Sequence, residues 1–267
     1  MDRPDPASLW RRYAGHAQLL FGGGPRPVRR TGDNWFFAAS GTAHVDMNQA
    51  ALFGPASAAD AAALTALVIE AEVPCLLGCS DGVVERVAPT LQAAAFEVLP
   101  IREALFWRPG PPGRPVPTPF DVRRVRTEAE ITAMVSMFEE AHAYAPAVVR
   151  PLYEDRVKVD DGLSAWIAWD GPEPVSFAIV IEIGPTLSLW EVMTPVRHRR
   201  RGAARAVVTA ALAGAAAVAR QPIEETLFWA SPAGRPLYES MGFVIADEVD
   251  AWALGASPED LAAVGAG

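Results

Sequence analysis

The chain has 267 residues, 51% of them hydrophobic and 21% charged, with a formal net charge of −9. That length and balance describe a globular protein with room for one large or two ordinary domains. The negative charge excludes a general affinity for nucleic acid or anionic membrane.

Two cysteines, Cys75 and Cys79, are too few for a disulfide framework, and no partners near them suit a zinc site. Both are expected as reduced, buried thiols, and no metal is expected. The first residues, M-D-R-P-D-P, lack the basic-then-apolar pattern of a signal peptide, and no apolar run has the length of a membrane span. The expectation is a cytoplasmic protein with no membrane partner.

Residues 6–22 place Leu9, Trp10, Tyr13 and Leu20 at helical spacing, and Gly22-Gly23-Gly24-Pro25 ends that helix. Strand patterns follow at Trp35–Ala39 and from His44 to Phe53. Asp33, Asn34, Asp46 and Asn48 beside them read as turn and cap residues. Ala58–Glu72 predicts a helix, Val73–Gly78 a buried strand and Gly82–Ala94 another helix. Ala95–Leu99 and Glu103–Trp107 read as two closing strands.

Residues 109–119, P-G-P-P-G-R-P-V-P-T-P, hold six prolines and predict a semi-rigid linker. The chain is therefore divided into domains at 1–110 and 120–267, with 111–119 between them.

The second part opens with a strand at Phe120–Val125. Thr127 with Glu130 three residues on forms a capping-box pattern before Ile131, Met134, Val135 and Phe138. A further helix is expected over Ala147–Val157. Ser164–Trp169 and Val175–Ile183 form an antiparallel pair turned at Asp170–Glu173. Leu187–Met193 is the next strand, followed by a long Ala-rich helix, a strand at 226–230, a short helix at 233–241 and a last strand within 243–254. Residues 256–267 are expected to fray.

Between Met193 and that Ala-rich helix stand four arginines within five residues, Arg197, Arg199, Arg200 and Arg201, then Gly202-Ala203-Ala204. A helix that starts near Gly202 leaves its first N–H groups pointing outward. Small residues let a polyphosphate approach those donors, and guanidinium groups neutralise it. A solvated arginine face is the plainer alternative for the same residues.

Arg199-Arg200-Arg201-Gly202-Ala203-Ala204 resembles the R/Q-x-x-G-x-G/A signature of the GNAT acetyltransferases. Arg235-Pro236-Leu237-Tyr238-Glu239-Ser240-Met241-Gly242-Phe243 resembles that family's closing segment. The two blocks stand in the family's order, and the resemblance covers about residues 120–255. It implies an α/β fold of two GNAT-like halves, each a mixed, mostly antiparallel sheet flanked by helices. The first half repeats the element order, but its loop Phe53–Ala58 has no arginine, so it is expected to be a degenerate copy.

The resemblance further implies an N-acetyltransferase that uses acetyl-CoA as co-substrate. The acetyl group would pass by direct attack to a primary amine of a small molecule or peptide. Arg199 to Ala204 would grip the pyrophosphate, backbone groups at Val192 and Met193 would face the thioester, and Ser231 stands where relatives often carry Asn. Tyr238 matches the tyrosine that protonates the leaving thiolate.

The general base is expected to be Glu191. Strand alternation places it with Leu187, Leu189 and Met193 on one face. Glu182, Glu139, Glu140 and His142 are rivals, and His198 reads as an anion contact. A non-enzymatic acyl-CoA sensor or interaction protein is the alternative function, and a monomer or homodimer is expected.

Overall fold

A computed structural model describes residues 4–142, 144–159 and 162–257, without the side chains of 141 and 142. In chain order the elements are α1 (Pro6–Phe21), β1 (Val28–Thr31), β2 (Trp35–Ala39), β3 (Asn48–Leu52), α2 (Ala58–Ala71), β4 (Cys75–Ser80), α3 (Val84–Ala93) and β5 (Glu97–Pro109). Then come β6 (Asp121–Arg124), α4 (Glu128–His142), α5 (Pro146–Tyr153), β7 (Leu163–Asp170), β8 (Glu173–Ile183) and β9 (Thr186–Met193). The last are α6 (Ala203–Val218), β10 (Glu225–Ala230), α7 (Arg235–Glu239) and β11 (Val244–Leu254).

Side-chain caps set the starts of α1, α2 and α4. Asp5 accepts from Ala7 N (3.3 Å) and Ser8 N (3.2 Å) ahead of Pro6, which lacks the N–H that the first turn would waste. Ser57 and Asp60 form a reciprocal capping box on α2. Thr127 and Glu130 do the same on α4: Glu130 N donates to Thr127 Oγ1 (3.3 Å) and Thr127 N to Glu130 Oε2 (2.9 Å).

Contacts divide the chain into two compact units, and they do not follow chain order. One joins the residues up to Trp107 with those from Trp229 onward; the other is Arg108–Phe228. The division expected from the proline run ran along the chain. The last strand makes the difference, because β11 pairs with β4 from Val249↔Ser80 to Leu254↔Cys75 and also with β5.

In the first unit, β1, β2 and β3 form an antiparallel meander, β3 and β4 are parallel, and β11 lies antiparallel between β4 and β5. Helix α2 connects the parallel pair. Trp252 of β11 is buried in the core with Phe37, Leu64, Leu77 and Leu91. On α1, Trp10 stacks on Phe53 (6.0 Å between centroids) and meets Tyr13 and Trp229 edge-on. Its indole N–H donates to Asp247 (2.7 Å), whose carboxylate also accepts from Ser80 Oγ. A buried indole and a buried carboxylate thus satisfy one another.

β5 is one continuous strand where the sequence suggested two. Pro100 cannot donate to a ladder, yet the strand passes it. The register with β11 slips between Asp250 and Trp252, opposite the stretch that contains Pro100, and this irregularity absorbs the missing donor.

The second unit repeats the pairing plan. β6, β7, β8 and β9 are successively antiparallel, and β9 and β10 are parallel with α6 as their connection. Both units are therefore mixed, mostly antiparallel sheets flanked by helices. α6 packs on β7, β8 and β9. A β-carbon at Gly214 would stand 2.1 Å from the Trp166 ring, so only glycine lets the helix lie this close to β7. Phe138, Tyr153 and Phe177 fill the side under α4 and α5.

Candidate acyl-CoA site

β9 and β10 pair only at Thr186↔Glu225, Leu187↔Thr226 and Ser188↔Leu227. Beyond Ser188, β9 runs on through Leu189–Met193 without a β10 partner. On its other side the ladder with β8 is irregular: Trp190 faces Ile179 and Met193 faces Phe177, so Glu191 and Val192 together stand opposite Ala178. This is a β-bulge, and Glu191 has φ +49, a left-handed conformation that non-glycine residues seldom adopt.

The alternation expected to continue through Glu191 and Met193 stops at this bulge. Both Trp190 and Met193 are buried, and Glu191 and Val192 between them are half-buried. Past the bulge the strand end is pinned. Ser176 Oγ donates to the Met193 carbonyl (2.8 Å) and exchanges a hydrogen bond with Thr194 Oγ1 (2.8 Å).

The arginine loop divides its cations. Arg197 is paired with Glu140 and lies 3.5 Å from Glu173. Arg201 is paired with Asp170 and lies over the Phe120 ring at 5.8 Å. His198, buried to 4% exposure, has Nε2 at 3.2 Å from Glu173 and Nδ1 at 3.5 Å from Arg201. These three residues brace the loop against the β7–β8 turn, and their contacts place His198 among protein side chains. Arg199 Nε donates to the Thr194 carbonyl (3.1 Å). Arg200 is exposed with φ +65 and makes no ion pair among the described residues.

Gly202 precedes α6 at φ +84, and no side chain caps the helix. The first turn holds Ala203, Ala204 and Arg205, with no acidic residue to occupy the positive end of the dipole. A β-carbon on Gly202 would meet nothing within 4 Å, so the space before the helix is open. An uncapped N-terminus, an open approach and an uncommitted guanidinium fit a phosphate-bearing ligand such as CoA.

β9, the loop and α6 thus bring Glu191, Val192, Met193, Arg199, Arg200, Arg201, Gly202, Ala203 and Ala204 together in the second unit. Ser231 and Tyr238 belong to the first. Ser231 is half-buried and its carbonyl accepts from Gly234 N (3.2 Å). Tyr238 is buried against Phe106 (5.4 Å) and Phe243 (6.3 Å), and burial pushes its phenol well above the usual value. It is held as the neutral hydroxyl.

Among the rival bases, Glu182 Oε1 accepts from Arg220 N (3.0 Å). Glu140 is taken by Arg197, Glu139 is exposed, and the His142 side chain lies outside the described residues. One residue that sequence reasoning missed is Tyr153, whose hydroxyl donates to Glu191 Oε1 (3.3 Å) across 38 positions of sequence. Among the described residues no group of three or more His, Cys, Asp or Glu is placed to hold a metal ion, and no helix is long and apolar enough to cross a membrane.

Residues 130–243 match the model of the acetyltransferase (GNAT) family. No curated protein matches the chain. Among solved structures, a GCN5-related N-acetyltransferase from Kribbella flavida is similar with a TM-score of 0.61 at 16% identity, over 91% of this chain and 94% of that one. Another, from Sphaerobacter thermophilus, gives 0.60 at 12% identity over 84% and 80%. A tandem GNAT protein from the clavulanic acid biosynthesis pathway gives 0.55 at 12% identity over 94% and 96%. Identities this low speak for fold, while the family match falls on the stretch that carries the bulged strand, the arginine loop and the Tyr238 segment. Residues 130–243 are thus similar to the acetyltransferase domain of the GNAT family, and the fold of the chain is that of the GNAT proteins it resembles.

Proposed function

We propose that this protein is an acetyl-CoA-dependent N-acetyltransferase that acts on a primary amine of a small molecule or peptide by direct attack. The observation that carries the reading is the departure of β9 from β10 after Ser188↔Leu227, leading through the arginine loop into the uncapped α6. Acetyl-CoA, when bound, supplies the activated acyl group. The diphosphate is assigned to the N–H groups of Gly202, Ala203 and Ala204, with Arg199, Arg200 and Arg201 around them.

The chain's own chemistry has three parts. Glu191 takes the proton from the amine, a step for which a half-buried carboxylate at a strand end is suited. Backbone N–H groups of Val192 and Met193, at and just past the Glu191–Val192 bulge, stabilise negative charge on the acyl oxygen. Tyr238 is assigned the leaving thiolate on its sequence context, Leu237 to Phe243. A phenol that burial makes a weaker acid helps by hydrogen bonding more than by full transfer, so its contribution is modest. Ser231 is assigned a contact to the CoA arm.

In the first unit β3 stays paired with β4 through Leu52↔Cys79, the end of β3. That half is assigned no CoA site, so one acetyl-CoA is expected per chain. Titration calorimetry with acetyl-CoA, followed by CoA release in the presence of a panel of primary amines, tests the reading. One site with turnover supports it. Tight binding without turnover of any amine favours an acyl-CoA sensor, and two equivalent sites contradict the degenerate first half.

A further inference from the structure

β7 starts at Leu163 and β8 ends at Ile183. This end of their hairpin lies about 20 Å along the strands from the Asp170–Glu173 turn that braces the arginine loop. Here the last turn of α6 and the sheet enclose a cavity of about 160 Å³, within the second unit. Strand alternation sets its floor. Arg124 pairs with Trp166, Ser164 stands two residues before Trp166 and opposite Val180, and Glu182 stands two residues after Val180. All four side chains therefore share the face that α6 covers, where Gly214 admits the Trp166 ring. Ala215 and Val218 line the cavity from the helix, and Arg220 lines it from the chain beyond.

Its polar groups are held in place. Glu182 N donates to the Gly162 carbonyl (2.7 Å), and Arg220 N donates to Glu182 Oε1 (3.0 Å). That bond uses one of the roughly four lone-pair sites of the carboxylate. Ser164 is 7% exposed, and its Oγ accepts from the Trp166 indole (3.2 Å). Its hydroxyl still has its own proton to donate. Glu182 and the negative end of the α6 dipole give the cavity one sign, and the guanidinium groups of Arg124 and Arg220 give it the other.

We propose that this cavity binds a small α-amino acid. Arg220 and Ser164 hold its carboxylate, Glu182 holds its ammonium, and its side chain lies against Ala215 and Val218. Arg124 has contacts of its own and adds only its charge. A plain anion would meet the Glu182 carboxylate, and a plain cation would meet two guanidinium groups. A zwitterion places each charge beside its opposite. A cavity of about 150 Å³ takes a molecule the size of benzene, with about six heavy atoms, which is the size of alanine. An apolar side chain would also cover Val218, which is 66% exposed. The site does not depend on the acetyl-transfer reading.

The test is a titration of the full ¹⁵N-labelled chain, without acetyl-CoA, followed through the backbone signals of Leu163, Ser164 and Val218. The probe is L-alanine; propionate and ethylamine each carry one of its two charges. L-Alanine should shift these signals saturably with a midpoint near about 1 mM, because Arg220 is exposed and its contacts are screened. Propionate and ethylamine should each bind at least about tenfold more weakly. Glu182→Gln keeps an oxygen for Arg220 N and should erase the preference for L-alanine over propionate. Arg220→Gln should erase the preference over ethylamine. If either variant does not fold, the three probes on the unaltered chain decide.

No saturable shift up to about 10 mM L-alanine overturns the proposal. So does propionate or ethylamine binding as tightly as L-alanine, which would leave a site for a single charge. Shifts at Val192 and Met193 in place of Ser164 and Val218 would put the amino acid at the end of β9 and equally overturn it.

Discussion

Ser188 of β9 pairs with Leu227 of β10, and no position beyond it joins those two strands. The equivalent parallel pair in the first unit, β3 with β4, is held to the last residue of β3 by Leu52↔Cys79. One half of the chain thus opens a strand end next to an uncapped helix, and the other keeps it closed.

The first prediction concerns Gly202. It sits at φ +84 with open space where a side chain would project. Gly202→Val would place branched carbons in that space and strain the backbone, since β-branched residues avoid positive φ. Acetyl-CoA binding should weaken by at least about tenfold, near 1.4 kcal/mol, with the fold retained. Calorimetry on the folded variant measures it, and normal affinity would detach the loop from cofactor binding.

Tyr238→Phe keeps the ring that packs on Phe106 and Phe243 and removes the hydroxyl. General-acid assistance is worth about 10²–10⁴-fold, and a phenol pushed up by burial should give the lower end. kcat is expected to fall with acetyl-CoA affinity within a few-fold, a separation that a merely structural tyrosine would not produce. A variant with wild-type kcat, measured where chemistry limits turnover, excludes Tyr238 from the mechanism.

A third prediction follows from Glu103 on β5, which is 6% exposed. Burial first, and the charge of Asp46 second, push its carboxyl up to about 8, against a smaller opposing effect of the nearby Trp229 indole. The folded state therefore holds a proton that the unfolded chain releases near 4.5. Its contribution to stability is fully present below about pH 4.5 and is lost as pH rises through about 8. Glu103→Gln keeps the shape of the protonated acid. It should leave stability nearly unchanged at pH 5 and raise it at pH 8.5 by at least about 1 kcal/mol, read from denaturant unfolding at the two pH values. Equal shifts at both would show that Glu103 is not the titrating group.

The fourth prediction tests the long-range strand. A chain ending at residue 119 retains β4 and β5 but lacks β11, to which both are paired. It also loses Trp252 from the core, and removal of a buried Trp costs about 3–5 kcal/mol in itself. This fragment is expected to bind hydrophobic dye and to unfold without a cooperative transition. A sharp thermal transition in the isolated fragment would show that the first half folds without the last strand.

Much of the protein was legible in order along the chain. Ser57 with Asp60 and Thr127 with Glu130 mark helix starts because capping bonds close within four residues. Arg199 to Ala204 mark the arginine-rich turn into α6 because a helix N-terminus and its flanking charges are local in sequence. The position of Gly202 at a left-handed φ is legible for the same reason, since glycine is the residue that tolerates it.

What tertiary structure decided lies in contacts between distant positions. The bulge at Glu191–Val192 depends on how β9 registers with β8, and alternation within one strand carries no sign of the slip. The place of β11 between β4 and β5 depends on pairing over more than a hundred residues, while a proline run marks only where the chain bends. The hydrogen bond from Tyr153 to Glu191 and the burial of Glu103 beside Asp46 arise when separate elements pack. Sequence by itself determined the capped helix starts and the arginine-rich turn before α6, because backbone donors and their caps are neighbours along the chain. Packing decided which carboxylates are held, strained or kept protonated, because desolvation and charge act through space.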